Sequence, residues 1–184
     1  GGRRRRCDEA RRCRKDRCEK QLRVLEEGID IVSGTVVEFE KDILHCKAKR
    51  TLPLSKEEIL KFAGRRNPFN HPCVMYRKEA VEKAGGYQHF YLFEDYYLWA
   101  RMLLLGVEAR NLPDTLLYMR AGTGMYKRRG GWKYVKSMLH FRLFLWKSGL
   151  SSFWDFVVCA GGQMMICLIP NRLRELFYKK FLRK

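Results

Sequence analysis

Two hydrophobic periods follow one another in the first part of this chain. Residues 16–27 place apolar side chains at helical spacing among charged ones and end at Gly28, a residue typical of helix C-termini. Residues 29–39 are rich in β-branched side chains, which favours a strand. The pattern therefore predicts one helix followed by one strand.

The segment SKEEILKFAG, residues 55–64, carries the signals of both ends of a second helix. Ser55 is placed as N-cap, Glu58 stands three residues later as its capping-box partner, and Gly64 closes the segment. We expect the core-facing side of this helix to consist of Ile59, Leu60 and Phe62.

Short predicted elements then alternate. After a proline-rich loop the pattern predicts a strand at residues 73–76, a helix at 78–84 and a Gly-Gly turn. A longer helix follows from residue 93 and closes at Gly106, and two strand-like runs cover residues 107–111 and 114–120. Alternating helices and strands predict an α/β sheet layered with helices.

The last third of the chain is basic and helical in pattern. Residues 132–147 predict an amphipathic helix, whose apolar stripe would contain Trp132, Val135, Leu139, Leu143 and Trp146. Residues 153–169 are apolar but interrupted by Asp155, and their length is at the lower limit for spanning a bilayer. We expect an interfacial or core-packed helix pair there. Residues 170–184 interleave leucines with cations, a pattern suited to an anionic leaflet.

The formal charge of +18 is distributed unevenly. Residues 21–119 hold fourteen basic and fourteen acidic side chains, whereas residues 120–147 hold eight basic ones and no acid. A neutral body with basic flanks favours a domain that faces an anion or a membrane over a protein that coats nucleic acid. The seven cysteines include no C-x-x-C pair, so neither a disulfide framework nor a metal site is predicted.

The Glu94-Asp95 pair in HFYLFEDYYLWARM permits two interpretations. Acids at the start of a helix interact favourably with its positive end, by about 0.3–1 kcal/mol, so the pair needs no catalytic purpose. The pair also follows a Gly-Gly turn and an aromatic loop, where a helix N-terminus can face a cleft. On the residues alone, a helix-stabilising role and a catalytic role both stay open.

A wider series of motifs carries a resemblance. The chain contains RNPFNHPCVMYRKEAVEKAGGYQHFYLFEDYYLWARMLLLG followed by NLPDTLLYMRAGTGMYKRRGG. This series resembles the acceptor half of family 2 glycosyltransferases, in particular the bacterial enzymes that assemble capsule, exopolysaccharide and lipopolysaccharide. The resemblance covers residues 16–184 and implies a partial GT-A-type fold, the nucleotide-diphospho-sugar transferase fold, with a basic helical membrane-associating region.

The resemblance also implies roles for individual residues. Asp95 would be the general base that deprotonates the acceptor hydroxyl, with Glu94 orienting the acceptor or stabilising the helix. Asn67 and His71, both in the NPFNHP segment, would bind substrate, although a histidine beside proline can also simply fix a loop. Arg120 would lie close to the donor diphosphate. The donor would be a nucleotide sugar, and the acceptor a glycan or a lipid-linked molecule.

Enzymes of the family also contain a nucleotide-binding half with an Asp-x-Asp-type motif for Mg²⁺ or Mn²⁺, which we do not find here. In its place stands CDEARRCRK, where Arg11 and Arg12 would repel a divalent cation. Some choices of codons for Arg11–Arg14, when the DNA is read one nucleotide out of frame, encode the sequence Asp-Asp-Val. We therefore expect residues 1–15 to be an out-of-frame or disordered segment.

Three parts are expected. They are an Arg-rich segment at residues 1–15, an acceptor domain at 16–130 and a basic membrane-associated region at 131–184. The expected function is that of a fragment of an inverting glycosyltransferase, inactive alone, at the cytoplasmic face of a bacterial inner membrane. Two alternatives stay open. They are a basic nucleic-acid-binding protein and a non-catalytic membrane adaptor.

Overall fold

The computed structural model describes residues 11–39, 46–120 and 131–168. These residues fall into two compact units. The first unit draws on the ranges Gly1–Ile59, Pro68–Ala80 and Val107–Gly122. The second draws on the ranges Leu60–Asn67, Val81–Gly106 and Thr123–Lys184, and so takes residues from both sides of the expected boundary at residue 131.

A mixed sheet organises the first unit. Its strands among the described residues are β1 (Arg11–Cys13), β2 (Ile31–Phe39), β3 (Cys46–Arg50), β4 (Met75–Tyr76) and β5 (Ala109–Arg120). They are ordered β1-β5-β2-β3, and β4 also pairs with β2. β2 and β5 run parallel, whereas the other pairs are antiparallel. The predicted α/β class is confirmed.

β1 lies inside the segment that was expected to be disordered or out of frame. Arg11–Cys13 pair with residues 117–119 of β5, so the expectation of disorder does not hold for these three residues. An edge strand is held by backbone hydrogen bonds to its neighbour, and its own composition is a weak signal. Residues 1–10 lie outside the described residues.

β5 is one strand where the sequence predicted two. The predicted break was at Pro113, and the register of β5 against β2 shifts at this point, between Gly34 and Val36. Proline has no N–H to donate, and a local irregularity removes it from the ladder without ending the strand. The nine residues of β2 are all buried, as expected of a central strand.

The first predicted helix is confirmed as α1 (Arg17–Glu26). Gly28 follows it with φ +91°, a conformation that glycine adopts without steric cost. The apolar side of α1 continues into the strand through a buried cluster of Val24, Leu25, Ile29 and Val32.

Helix α2 (Lys56–Ala63) has the predicted capping box. The Glu58 N–H donates to Ser55 Oγ at 3.3 Å, and the Ser55 N–H donates to Glu58 Oε2 at 3.3 Å. These reciprocal bonds satisfy two backbone groups that the helix itself cannot. Of the predicted core-facing residues, Ile59 is buried and the other two are half-buried.

The strand predicted at residues 73–76 is shorter than expected. His71–Cys73 form a 3₁₀ turn, and Met75–Tyr76 pair with β2. Pro72 explains the difference, because its fixed φ suits a turn and it cannot donate to a ladder. Helix α3 (Lys78–Lys83) follows, and Gly85 and Gly86 then turn the chain with positive φ, as predicted.

Among the described residues of the second unit, three helices surround an aromatic core. They are α4 (Glu94–Leu104), α5 (Trp132–Lys147) and α6 (Phe153–Leu168). The core combines Phe93 and Tyr96, from the start of α4, with Tyr134, Met138, Phe141 and Leu145 of α5.

Helix α5 has the predicted bounds but a different buried face. Of the five residues in the predicted stripe, Val135 is buried, whereas Trp132 is 75% and Trp146 38% exposed. The residues that α5 buries are Tyr134, Val135, Met138, Phe141, Arg142 and Leu145. The predicted stripe is therefore wrong. Both sides of the helix are apolar, so the aromatic loop before α4 decides which side is covered.

Helix α6 continues without a break through Gly161 and Gly162. Ser152 caps it, since the Asp155 N–H donates to Ser152 Oγ at 3.1 Å. In the part of the chain that the structure describes, no helix has the length and apolar character needed to cross a membrane. Residues 169–184, which carry the predicted basic tail, lie outside that part.

Candidate functional site

The acid pair forms the first turn of α4. Glu94 and Asp95 are its first two residues, and the N-cap position is taken by Phe93, which makes no side-chain cap hydrogen bond. Neither acid is therefore the N-cap residue, although both can interact with the positive helix end. Leu92, immediately before them, has φ +63°, a left-handed conformation that costs a branched side chain about 1–3 kcal/mol.

Contacts with α5 hold this strained junction in place. The ring of Phe93 stacks on Phe141 with 4.9 Å between centroids and on Tyr134 with 5.8 Å. The hydroxyl of Ser137 donates to the carbonyl of Tyr91 at 2.8 Å. The position of the acid pair is thus set by an aromatic cluster, which is a rigid support for a functional group.

One oxygen of the Asp95 carboxylate is held by Asn67. The Asn67 Nδ2 donates to Asp95 Oδ2 at 3.2 Å. Within the described ranges, no residue donates a hydrogen bond to Asp95 Oδ1. The half-buried carboxylate therefore has one oriented oxygen and one available to a ligand. Asn67, predicted to bind substrate, is placed to orient the predicted base.

Asp95 lines a cavity of about 440 Å³. Three arginines, Arg65, Arg66 and Arg142, also line it, whereas Glu94 does not. Helix α6 completes the lining with Val158, Cys159, Gly162 and Gln163. The volume is in the range of small-molecule sites. With three guanidinium groups and one carboxylate, the lining suits a ligand that carries negative charge.

The charge of Arg65 is already compensated. Its Nε donates to Asp155 Oδ1 at 2.7 Å, joining residue 65 to the first turn of α6. The Ser152 hydrogen bond and the Arg65 guanidinium together hold the pKa of Asp155 below its usual value. Asp155, which the sequence showed only as an interruption of an apolar run, is a helix-start and ion-pair residue.

Arg142 differs from Arg65 in having neutral partners. It is 5% exposed, its Nε donates to Gln163 Oε1 at 3.0 Å, and its Nη1 donates to the Gly64 carbonyl at 3.3 Å. The neighbouring Tyr96 hydroxyl donates to the Ala63 carbonyl at 2.5 Å. Burial raises the pKa of Tyr96 well above its ordinary value, so the phenol stays neutral and is no candidate base.

The other predicted site residues belong to the first unit. His71 is exposed at the start of the 3₁₀ turn, which the Asn70 carbonyl closes by accepting from the Cys73 N–H at 2.9 Å. Arg120 ends β5 and lies over the ring of Phe39, with 5.6 Å to the ring centroid. Residues 127–129, which belong to the basic range 120–147, lie outside the described residues.

A metal centre is not evident in the described ranges. Among residues 11–39, 46–120 and 131–168, no group of three or more His, Cys, Asp or Glu side chains is arranged to hold a metal ion. These residues therefore do not fit the divalent cation that the family resemblance implies, and no chemical step is assigned to a metal here.

Sequence reasoning missed Arg142, Gln163 and Tyr96 as cavity residues. One signal for Arg142 was present. It lies four residues after Met138 and three before Leu145, so it shares their face at helical spacing. A cation on the buried side of a helix is a functional candidate, but the predicted stripe placed the buried side elsewhere.

Three curated proteins are similar to nearly the whole chain. The amylovoran biosynthesis glycosyltransferase AmsE of Erwinia amylovora is 38% identical over 175 residues, which is 91% of this chain and 63% of that protein. An uncharacterized glycosyltransferase of Haemophilus influenzae is 39% identical, covering 94% of this chain and 64% of that protein. The Escherichia coli UDP-Gal:alpha-D-GlcNAc-diphosphoundecaprenol beta-1,3-galactosyltransferase is 32% identical, covering 96% and 64%.

These similarities confirm the predicted resemblance to glycosyltransferases. The chain spans slightly less than two thirds of the length of the relatives it matches. No protein-family model matches it.

Proposed function

We propose that this glycosyltransferase homologue is the acceptor-binding part of an inverting family 2 enzyme with a GT-A-type fold. The whole enzyme would move a sugar from a nucleotide-diphosphate donor to a glycan or lipid-linked acceptor in cell-surface polysaccharide synthesis. Two relatives support this reaction class, since one is named for amylovoran biosynthesis and another for galactosyl transfer to a diphosphoundecaprenol-linked sugar.

The Asp95 carboxylate is the observation that carries the proposal. Inverting transfer needs one base that removes the proton of the acceptor hydroxyl as the hydroxyl oxygen attacks the sugar carbon. Asp95 meets the requirements, because it lines a cavity of suitable size and Asn67 orients one of its oxygens. Glu94 does not line that cavity, so its role is confined to stabilising the start of α4.

The cavity lining offers both polar and charged side chains for binding an acceptor. Asn67, Asp95 and Gln163 offer hydrogen-bond partners for sugar hydroxyls. His71 and Arg120 remain substrate-binding proposals that stand on the family resemblance alone. The proposed donor would also need Mg²⁺ or Mn²⁺, for which the described residues offer no ligand set.

We further propose that α5 and α6 hold the enzyme at the cytoplasmic face of an anionic membrane. Trp154 is 74%, Val158 68% and Met165 68% exposed on α6, and exposed apolar side chains of this size mark interaction surfaces. Lys133 and Lys136 are exposed on α5. Apolar contacts combined with cations are typical of interfacial helices.

Replacement of the base tests the proposed reaction. In the whole enzyme, Asp95→Asn should lower the rate of sugar transfer by about 10²–10⁴-fold, because the amide keeps the shape of the carboxylate but cannot accept a proton. Transfer of labelled sugar from a panel of nucleotide sugars to acceptor in host membranes would measure this rate at saturating acceptor.

The matched control is Glu94→Gln, which changes the adjacent acid in the same turn. It should reduce transfer far less than Asp95→Asn, since the helix-dipole interaction it weakens is about 1 kcal/mol or smaller. If Asp95→Asn kept more than about a tenth of the parental rate, the carboxylate would not be the base.

A further inference from the structure

We propose that Arg142 and Arg66 form a diphosphate-binding site in the cavity that contains Asp95. This inference rests on the proposed function and deepens it, because it assigns the anionic group of a substrate to a particular place. Arg142 lies outside the motifs that predicted the acceptor site, whereas Arg66 is the first residue of the RNPFNHP segment.

The argument starts from the buried charge of Arg142. A buried guanidinium is costly unless an anion compensates it. Arg142 is only 5% exposed, yet its hydrogen-bond partners are a side-chain amide and a backbone carbonyl. No carboxylate among the described residues lies within ion-pair distance of Arg142. The guanidinium of Arg142 is thus a desolvated cation that lines the cavity, and the described residues provide no carboxylate counterion for it.

Arg66 supplies a second guanidinium that is not committed elsewhere. It is exposed and lines the same cavity, and none of the described acids pairs with it. Arg65, which precedes it, is neutralised by Asp155. Two guanidinium groups on one cavity suit a diphosphate, because each can bind two phosphate oxygens at once.

Two kinds of substrate carry such a group. One is an acceptor whose sugar is attached to a diphosphate with an apolar chain, and the other is the nucleotide donor. Val158 lines the cavity and is 68% exposed on α6, so an apolar chain leaving the diphosphate would find apolar surface beside it. We therefore expect an isoprenyl diphosphate to bind more tightly than inorganic pyrophosphate or UDP.

The test uses the 184-residue chain and titration calorimetry with pyrophosphate, geranyl diphosphate and UDP. The decisive variant is Gln163→Glu, because residue 163 already contacts Arg142 at 3.0 Å. A carboxylate there would neutralise Arg142 while keeping the side-chain volume. We expect it to weaken pyrophosphate binding about tenfold or more, the typical effect of losing a charge-assisted hydrogen bond.

Further variants exclude a general loss of positive charge or of folding. Arg66→Gln should weaken pyrophosphate binding, whereas Lys136→Gln, an exposed change on the same helix as Arg142, should not. Circular dichroism should show that Gln163→Glu is folded and that its melting temperature is equal to or above the parental one. Unchanged pyrophosphate binding by folded Gln163→Glu, or equal weakening by Lys136→Gln, would overturn the proposal.

The three probes separate the two sources of diphosphate. Tightest binding of geranyl diphosphate supports the acceptor, tightest binding of UDP supports the donor, and no binding of any probe overturns the site. The result is independent of the proposed base, because Asp95→Asn removes a negative charge from the cavity and should not weaken pyrophosphate binding. A transfer-active Asp95→Asn enzyme would refute the base and leave the anion site standing.

Discussion

A single side-chain amide determines how Asp95 presents its carboxylate. Asn67 holds Oδ2 at 3.2 Å, which restricts rotation of the carboxylate and leaves Oδ1 without a donor among the described residues. Glu94 is one position earlier on the helix, about 100° away around the axis, and it does not line the cavity. Two adjacent acids with the same chemistry therefore have different surroundings, and helix geometry alone separates them.

A residue-scale prediction concerns the acid stability of the Asp155 contacts. Ser152 and Arg65 lower the pKa of Asp155 in the folded chain. The resulting stabilisation is present above the carboxyl's unfolded pKa of about 4 and is lost as the pH falls through the lowered folded value. Urea denaturation should show the parental chain more stable than Asp155→Asn at pH 7, with the difference vanishing near pH 2.

Ser152→Ala provides the control for that experiment. It removes the largest cause of the shift and should therefore reduce the pH-dependent part of the stability difference. A difference between the parental chain and Asp155→Asn that stayed constant from pH 7 to pH 2 would show that packing, and not the ionised carboxylate, is responsible.

At the scale of elements, two glycines that each follow an alanine have different structural roles. Gly64 follows α2, and a Cβ added to it would lie 2.4 Å from the backbone carbonyl oxygen of Leu150. Gly161 lies inside α6, where an added Cβ would meet nothing within 4 Å. The first glycine permits a close backbone approach, whereas the second only weakens its helix.

Alanine substitutions should therefore have opposite effects on the free energy of unfolding. Gly64→Ala should lower it by about 1–3 kcal/mol, because backbone must move to make room. Gly161→Ala should raise it by about 0.5–1 kcal/mol through higher helix propensity. Denaturant unfolding at neutral pH measures both.

Each glycine variant serves as the other's matched control, since both add one methyl group. Equal stabilities for the two variants would contradict the close contact between Gly64 and Leu150. Gly64→Ala should also disturb Arg142, whose Nη1 donates to the Gly64 carbonyl at 3.3 Å, so we expect weaker pyrophosphate binding from this variant as well.

For the whole molecule, local signals in the sequence predicted most of the helices. The start of α2 is specified by the Ser55–Glu58 capping box, and the ends of α1, α2 and α4 are marked by Gly28, Gly64 and Gly106. Such signals need no knowledge of the rest of the chain. The position of Asp95 at the start of α4 was predictable from the helical pattern that begins at residue 93.

What the sequence did not reveal depends on residues that are distant along the chain. β1 exists because β5 pairs with it more than a hundred residues later, and the buried side of α5 is chosen by the loop around Phe93. Asn67 meets Asp95, and Arg142 meets Gly64, only after folding. The electrostatics of the cavity could therefore not be predicted from periodicity.

A final prediction concerns how the molecule meets a membrane. Residues 132–184 contain ten Lys or Arg residues, and each cation near an anionic surface contributes about 1 kcal/mol. The exposed apolar side chains of α6 would add contacts that do not depend on salt. The chain should float with vesicles that contain anionic lipid, and binding should weaken as salt is raised.

Two variants locate the surface responsible. Trp154→Asp replaces the side chain that is 74% exposed on α6 and should reduce flotation on anionic vesicles about tenfold or more, since burying an aromatic side chain contributes more than 1.4 kcal/mol. Leu22→Asp makes the same kind of change on α1, at a residue 52% exposed, and should leave flotation unchanged. Equal flotation of all three proteins would place the membrane contact outside α6. Equal binding to neutral vesicles at high salt would mean that the cations do not hold the protein at the bilayer.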